Sequence, residues 1–135
     1  PHSEGRSGGS SARAQEGLPV SAHAQVARSM SEKEFQELVV STARALGWRG
    51  YHTFDSRRSA AGFPDLVLVR RPRSIFRELG KPRLIFSELK RQGRQPDPEQ
   101  AAWLLDLKAI AEECDLVEVH VWTPESYDQI VEVLR

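Results

Sequence analysis

One cysteine, Cys114, stands among 135 residues, so no disulfide can form within the chain and a reducing compartment is the simplest setting. The same scarcity excludes cysteine-rich zinc modules, and Cys114 itself reads as a small core residue. No apolar run approaches the roughly 20 residues needed to cross a bilayer, and no signal-peptide pattern opens the chain. A membrane partner is therefore not expected. Net charge is missing too, because 19 Lys and Arg balance 19 Asp and Glu. With 39% hydrophobic and 28% charged residues, the composition suits a single globular domain rather than a disordered chain.

The zero balance hides a segregation. From Arg49 to Arg94 there are 12 basic against 4 acidic residues, a net of +8, and from Gln95 to Arg135 there are 2 against 10, a net of −8. A basic middle suits a polyanion. Two solvated blocks that neutralise each other in the fold would account for the same pattern.

Residues 1–30 carry Ser, Gly, Ala, Arg and Gln with almost no large apolar side chains. Such a segment cannot bury enough surface to offset its ordering entropy, so a flexible tail is expected. Part of it reads as foreign to the natural chain, because Met30-Ser31-Glu32 reads like a natural start. The folded domain is expected over residues 31–135.

Ser31, with Glu34 three residues on, forms a capping-box signature, and the spacing predicts a helix from Glu32 to Leu46. Phe35, Leu38, Val39, Thr42 and Leu46 form its expected buried stripe, and Gly47 is the stop. Trp48 to Phe54 reads as a strand. Gly62-Phe63-Pro64 punctuates the chain before a second strand, Asp65 to Val69, and Arg83 to Lys90 reads as a third. Both are apolar through their middles, which predicts a sheet covered on both faces. The connection from Arg70 to Pro82 fits either an extended hairpin or a short helical turn. Asp97 as cap and Pro98 at the first helical position open a second long helix. Trp103, Leu107, Ile110 and Cys114 mark its expected buried face. Leu116 to Trp122 is a fourth strand, and Pro124 to Leu134 a closing helix. Trp48, Trp103 and Trp122 read as core, and His52 as a packed strand residue. The order is α-β-β-β-α-β-α.

Three polar residues sit where these strands should be apolar. Glu88 and Lys90 lie two apart and share a strand face. Asp65 starts the neighbouring strand. An Asp and a Glu on adjacent strands make a cluster of hard oxygens of the kind that magnesium prefers, and the backbone carbonyl of Leu89 is another candidate ligand. Such an ion polarises a phosphate and acidifies a bound water. Lys90 beside it could orient or help deprotonate that water, or stabilise charge on the phosphoryl oxygens. An isolated E-x-K triplet is equally an ordinary surface ion pair; its place after an apolar strand, joined to Pro64-Asp65, is what points to phosphodiester chemistry.

The pattern Gly62-Phe63-Pro64-Asp65 followed by Leu-Val-Leu-Val, then Phe86-Ser87-Glu88-Leu89-Lys90, resembles the PD-(D/E)xK nuclease superfamily. Within it, the resemblance is to the VRR-NUC (virus-type replication-repair nuclease) domain of small stand-alone phage and bacterial type. It runs from Ser31 to about Val133 and includes the Glu32–Gln36 opening, the His52–Arg57 segment and Pro98-Glu99-Gln100 with Trp103. The resemblance implies a restriction-endonuclease-like α/β core with a mixed central sheet flanked by helices. It implies Asp65 and Glu88 as metal ligands, Lys90 as the catalytic lysine, Glu34 as an acidic helix residue facing the site, and Gln100 as an active-site neighbour. Glu34 and Gln100 each also occupy the third position of a helix, where capping alone explains them. Ser56, Arg57 and Arg58 are expected to flank the cleft, and Arg91 and Arg94 to follow a nucleic-acid backbone. The connection from Arg70 to Pro82 is longer than in compact members of the family.

The expectation is thus a magnesium-dependent deoxyribonuclease, with manganese able to substitute, acting on branched DNA such as Holliday junctions. A homodimer placing two sites on opposed strands is implied, in the cytoplasm of a bacterial or phage-infected cell. The branched substrate rests on resemblance alone. A less selective flap- or restriction-type nuclease, or a non-catalytic nucleic-acid-binding module, are the alternatives.

Overall fold

Ser31 opens the first helix with a complete capping box: its hydroxyl accepts the Glu34 N–H at 3.2 Å, and the Glu34 carboxylate accepts the Ser31 N–H at 3.2 Å. The computed structural model describes residues 29–53, 58–72, 80–91 and 93–135, and the elements are numbered along these. They are α1 (Glu32–Ala45), β1 (Arg49–His52), β2 (Leu66–Arg70), β3 (Arg83–Leu89), α2 (Pro98–Glu113), β4 (Val117–Trp122), a 3-10 turn (Pro124–Ser126) and α3 (Tyr127–Leu134). Positions 1–28 of the tail expected over 1–30, the strand end at Phe54, and positions 73–79 of the long connection lie outside the described residues. Among the described residues no helix is long and apolar enough to cross a membrane.

The fold is α/β, a mixed four-stranded sheet in the order β1-β2-β3-β4 flanked by helices. β1, β2 and β3 are antiparallel neighbours, whereas β3 and β4 run parallel. A parallel pair needs a long crossover, and α2 supplies it. Alternation along the strands sends Leu66, Leu68, Ile85 and Leu89 to one face, where they are buried with Phe35, Val39 and Ala43 of α1 and Ile130 and Leu134 of α3.

Here the structure departs from expectation. The second face is only partly covered: Val69 is 44% exposed and Val121 37%. On α2 only Leu104 is buried; Trp103, Leu107 and Cys114 are half-buried, and Ile110 is 55% exposed. The reason is position. α2 packs chiefly over β4, which is an edge strand, so one flank of the helix has no sheet beneath it. On α1 the buried set is Phe35, Val39, Val40 and Ala43, while Leu38, Thr42 and Leu46 sit at the margin.

Polar clamps close the remaining seams. The Trp48 Nε1–H donates to the Leu134 carbonyl at 2.8 Å, and the guanidinium groups of Arg70 and Arg83 lie 4.5 and 5.0 Å from its ring centroid. Arg70 also donates to the carbonyls of Leu46, Leu134 and Arg135, tying β2 to both helix ends. Arg83 grips Glu118 through two bonds of 2.7 and 2.8 Å, joining β3 to β4. Burial alone would raise the Glu118 carboxyl, but Arg83 and His120 hold it below its ordinary value.

Candidate functional site

β2 and β3 pair with Leu66 opposite Ser87, so the next step of that register sets Asp65 across from Glu88. Asp65 is fixed by the backbone: its Oδ2 accepts the Leu89 N–H at 2.8 Å. Glu88 leaves the strand on the face under α2, where it is 1% exposed. Its Oε1 accepts the Gln100 Nε2–H at 2.9 Å and lies 3.7 Å from Lys90 Nζ. Its Oε2, equally buried, has no hydrogen-bond partner among the described residues. Burial and the neighbouring Asp65 push the Glu88 carboxyl up to about 8, against the pull of Lys90. Asp65, Glu88, Lys90 and Gln100 are therefore one cluster.

Gln100 reaches Glu88 because its capping role orients it. Its backbone N–H donates to Asp97 and its Oε1 accepts the Asp97 N–H at 3.0 Å, which leaves Nε2 to point at Glu88. Capping and contact with Glu88 thus occupy the two ends of one amide. The first turn of α2 is seated by the segment before Asp65. Gly62 has φ +83°, and a Cβ there would lie 2.5 Å from the Glu99 carbonyl carbon, so only glycine permits the approach. Trp103 secures the same junction, donating to the Ala61 carbonyl at 3.1 Å and meeting the Phe63 ring edge-on at 5.1 Å.

A cleft of about 790 Å³ opens beside Asp65 and the Leu89 backbone. Its far wall is one face of α1, with Glu32, Gln36, Glu37 and Arg44 along it, and His52 and Thr53 stand at its floor. Glu34 is not part of this wall; it is exposed and its carboxylate caps Ser31. The acidic helix residues that do face the cleft are Glu32 and Glu37. Arg58, Arg91 and Arg94 are exposed, the last two joined by a turn in which the Arg94 N–H donates to the Arg91 carbonyl. Ser56 and Arg57 lie outside the described residues. Gln36 and His52 are 16 positions apart on different elements, so their pairing leaves no local mark in the sequence, whereas the helical spacing of Glu32, Gln36, Glu37 and Arg44 does mark the wall.

The donor set suits a hard divalent cation. A buried carboxylate oxygen without a partner among the described residues, a second carboxylate across the strand pair and the Leu89 carbonyl are oxygen ligands of the kind magnesium takes. Among the described residues no three His, Cys, Asp or Glu side chains converge in a metal-ligating group. Two carboxylates with water completing the shell is a common arrangement for magnesium and a poor one for zinc.

Compared with models of known families, with curated proteins and with solved structures, the chain matches none.

Proposed function

We propose that this chain is a metal-dependent endonuclease that hydrolyses DNA phosphodiester bonds, with a restriction-endonuclease-like core of VRR-NUC type. The observation that carries the reading is Glu88: a carboxylate buried in the sheet, one oxygen held by Gln100 and Lys90, the other unpartnered beside Asp65. A carboxylate left so incompletely satisfied inside a fold costs stability, and a bound cation is the simplest compensation. The mixed sheet, with its antiparallel β1-β2-β3 and a parallel β4 reached through α2, is also what such a core needs.

Asp65, Glu88 and the Leu89 carbonyl would hold magnesium, or manganese in its place. Bound there, the ion supplies Lewis acidity to the scissile phosphate and a water acidified for attack. The chain does the rest. The Leu89 N–H occupies one oxygen of Asp65 and aims the carboxylate. Gln100 fixes the Glu88 rotamer from the opposite side. Glu88 would hold the ion as the deprotonated carboxylate. Lys90 brings an ammonium group within reach of the same centre, where it can donate to a phosphoryl oxygen or orient the attacking water. Arg58, Arg91 and Arg94, with Ser56 and Arg57, are assigned to the phosphate backbone. Branched DNA is the proposed substrate and a homodimer the proposed form, since one protomer of this size offers little surface to a four-way junction.

The test is cleavage of matched linear, flap and four-way DNA in magnesium and in manganese. Lys90→Ala and Asp65→Asn should abolish cutting with the fold intact; the asparagine keeps an acceptor for the Leu89 N–H while losing the charge. A wild-type chain that cuts nothing in either metal would end the nuclease reading. Equal cutting of linear duplex and junction would end the junction preference alone.

A further inference from the structure

Half of the sheet face under α2 stays open. α2 packs chiefly over β4, whereas on the β1 side of that face Tyr51 is 58% exposed and Val69 44%. Register fixes which residues share the face. Tyr51 pairs with Val67 and Arg49 with Val69, while Gly50 and His52 pair with the buried Leu68 and Leu66 and so turn toward α1. Val67 is itself opposite Phe86, whose ring meets Phe63 beside α2.

This open half runs directly into the site. The Thr53 N–H donates to the Asp65 carbonyl at 3.3 Å, which carries the pairing of β1 with β2 one step further and sets Asp65 in line with Val67 and Val69. Tyr51 thus stands two strand positions, about 7 Å, from the level of Asp65, and Arg49 four positions, about 13 Å. Arg71 follows just past the end of β2. Arg49 and Arg71 are exposed, and among the described residues neither they nor Tyr51 make a hydrogen bond or an ion pair.

Charge separates the two approaches to Asp65. The cleft on the α1 side sets Glu32, Glu37 and Asp65 against Lys33 and Arg44. The stretches Arg49–His52 and Leu66–Arg71 contain no acidic residue. A polyanion therefore meets less repulsion across the open sheet than along α1. An exposed ring flanked by unpaired arginines is the combination that holds single-stranded nucleic acid, with bases stacked on the ring and phosphates on the cations. A duplex keeps its bases stacked on one another, so only an unpaired base can reach Tyr51.

We propose that Tyr51 is a stacking platform for an unpaired base next to the scissile phosphate, with Arg49 and Arg71 taking the phosphates beyond it. The strand then reaches Asp65 single-stranded, across the open half of the sheet. The inference rests on the nuclease reading for the place of the scissile phosphate, whereas the stacking itself needs no cleavage.

Binding of a fluorescent flap DNA, whose branch fixes the register of its single-stranded arm, is measured without divalent metal so that nothing is cut. A linear duplex of the same length is the comparison. Tyr51→Ala should weaken flap binding about tenfold, the loss of one base–aromatic stack, and leave the slope of log affinity against log salt unchanged. Duplex binding should not respond. Tyr51→Phe keeps the ring and should bind like the parent. Arg49→Ala and Arg71→Ala should each lower the slope by about 0.7. An abasic position moved along the arm should find one place where base removal weakens the parent about tenfold and the Tyr51→Ala chain no further.

A Tyr51→Ala chain that binds the flap like its parent, equal losses on flap and duplex, or additive losses at every abasic position would overturn the proposal. So would a Tyr51→Ala chain changed only by weaker self-association in sedimentation, because the face would then belong to a second copy of the chain. Any of these results in a chain that still cuts DNA leaves the nuclease reading standing. The expected binding pattern in a chain that cuts in neither magnesium nor manganese would keep the platform and end that reading.

Discussion

Gly62→Ala is the perturbation that separates the proposed architecture from a generic packing defect. Two costs add at this position. An alanine must adopt φ near +83°, which for a residue with a Cβ costs roughly 1–2 kcal/mol. Its Cβ must also find room 2.5 Å from the Glu99 carbonyl carbon, 2.6 Å from its oxygen and 2.7 Å from the Gln100 nitrogen. All three are backbone atoms, so no rotamer change relieves them. Restoring an ordinary 3.4 Å contact moves the first turn of α2 by about 0.9 Å. Overpacking of this kind costs roughly 1–3 kcal/mol more. Gly93→Ala is the internal control, since Gly93 has φ +81° but nothing within 4 Å among the described residues. Urea unfolding should therefore show a loss of about 2–5 kcal/mol for Gly62→Ala and only about 1–2 kcal/mol for Gly93→Ala. The displaced turn carries Gln100, whose 2.9 Å bond to Glu88 should lengthen and shift the Gln100 side-chain amide resonance. The proposed cleavage should fall about a hundredfold, as expected when a group of a catalytic site is misplaced by about 1 Å. Equal destabilisation by the two substitutions, or an unmoved Gln100 resonance, would refute the reasoning.

Three further outcomes are expected. Glu88 titrates near 4.5 when unfolded and at about 8 in the fold, so its proton is held more tightly in the native state. In metal-free protein this contribution is whole below pH 4.5 and is lost as pH rises toward about 8. The wild-type urea midpoint should thus fall across that window while Glu88→Gln stays flat, and parallel profiles would contradict the assignment. Arg70→Ala removes donors to three carbonyls and the contact with Trp48, and should cost about 2–4 kcal/mol by urea unfolding. Lys81→Ala breaks a 2.6 Å ion pair with Asp115 whose partners are both exposed, so the midpoint should not move measurably.

Some of this was legible in the residues alone. Ser31 with Glu34, and Asp97 with Gln100, announce two helix starts through local chemistry that no tertiary contact can easily override, and both capping boxes formed. The strands around Leu66 and Ile85 followed from their apolar runs. What periodicity could not convey is how much sheet lies beneath a helix. Trp103, Leu107, Ile110 and Cys114 share a helical spacing, yet α2 sits over an edge strand, so Ile110 faces water and Leu104 is the buried residue. The site divides the same way. Glu88 and Lys90 share a strand face by simple alternation, and Asp65 joins them through the neighbouring strand. The contact of Gln100 with Glu88 needed the crossover to bring α2 back over the sheet, and Gln36 with His52 needed α1 packed on β1. Glu34 shows how local and distant roles overlap in a motif: one of its carboxylate oxygens caps Ser31, while the acidic residues of α1 that line the cleft are Glu32 and Glu37.

The bridges from Arg83 to Glu118 and from Lys81 to Asp115 join the basic middle of the chain to its acidic end. Those blocks carry net charges of +8 and −8 along one polymer. Before folding, the chain is therefore a block polyampholyte whose two halves attract over about 10 Å at moderate salt. That attraction contracts the denatured ensemble and draws β4 toward β3, the pairing that must close over the whole length of α2. Salt should relax this contraction, steepening the dependence of unfolding on urea as newly exposed surface increases. Charge order along the chain thus acts on the search for the fold as well as on its finished seam.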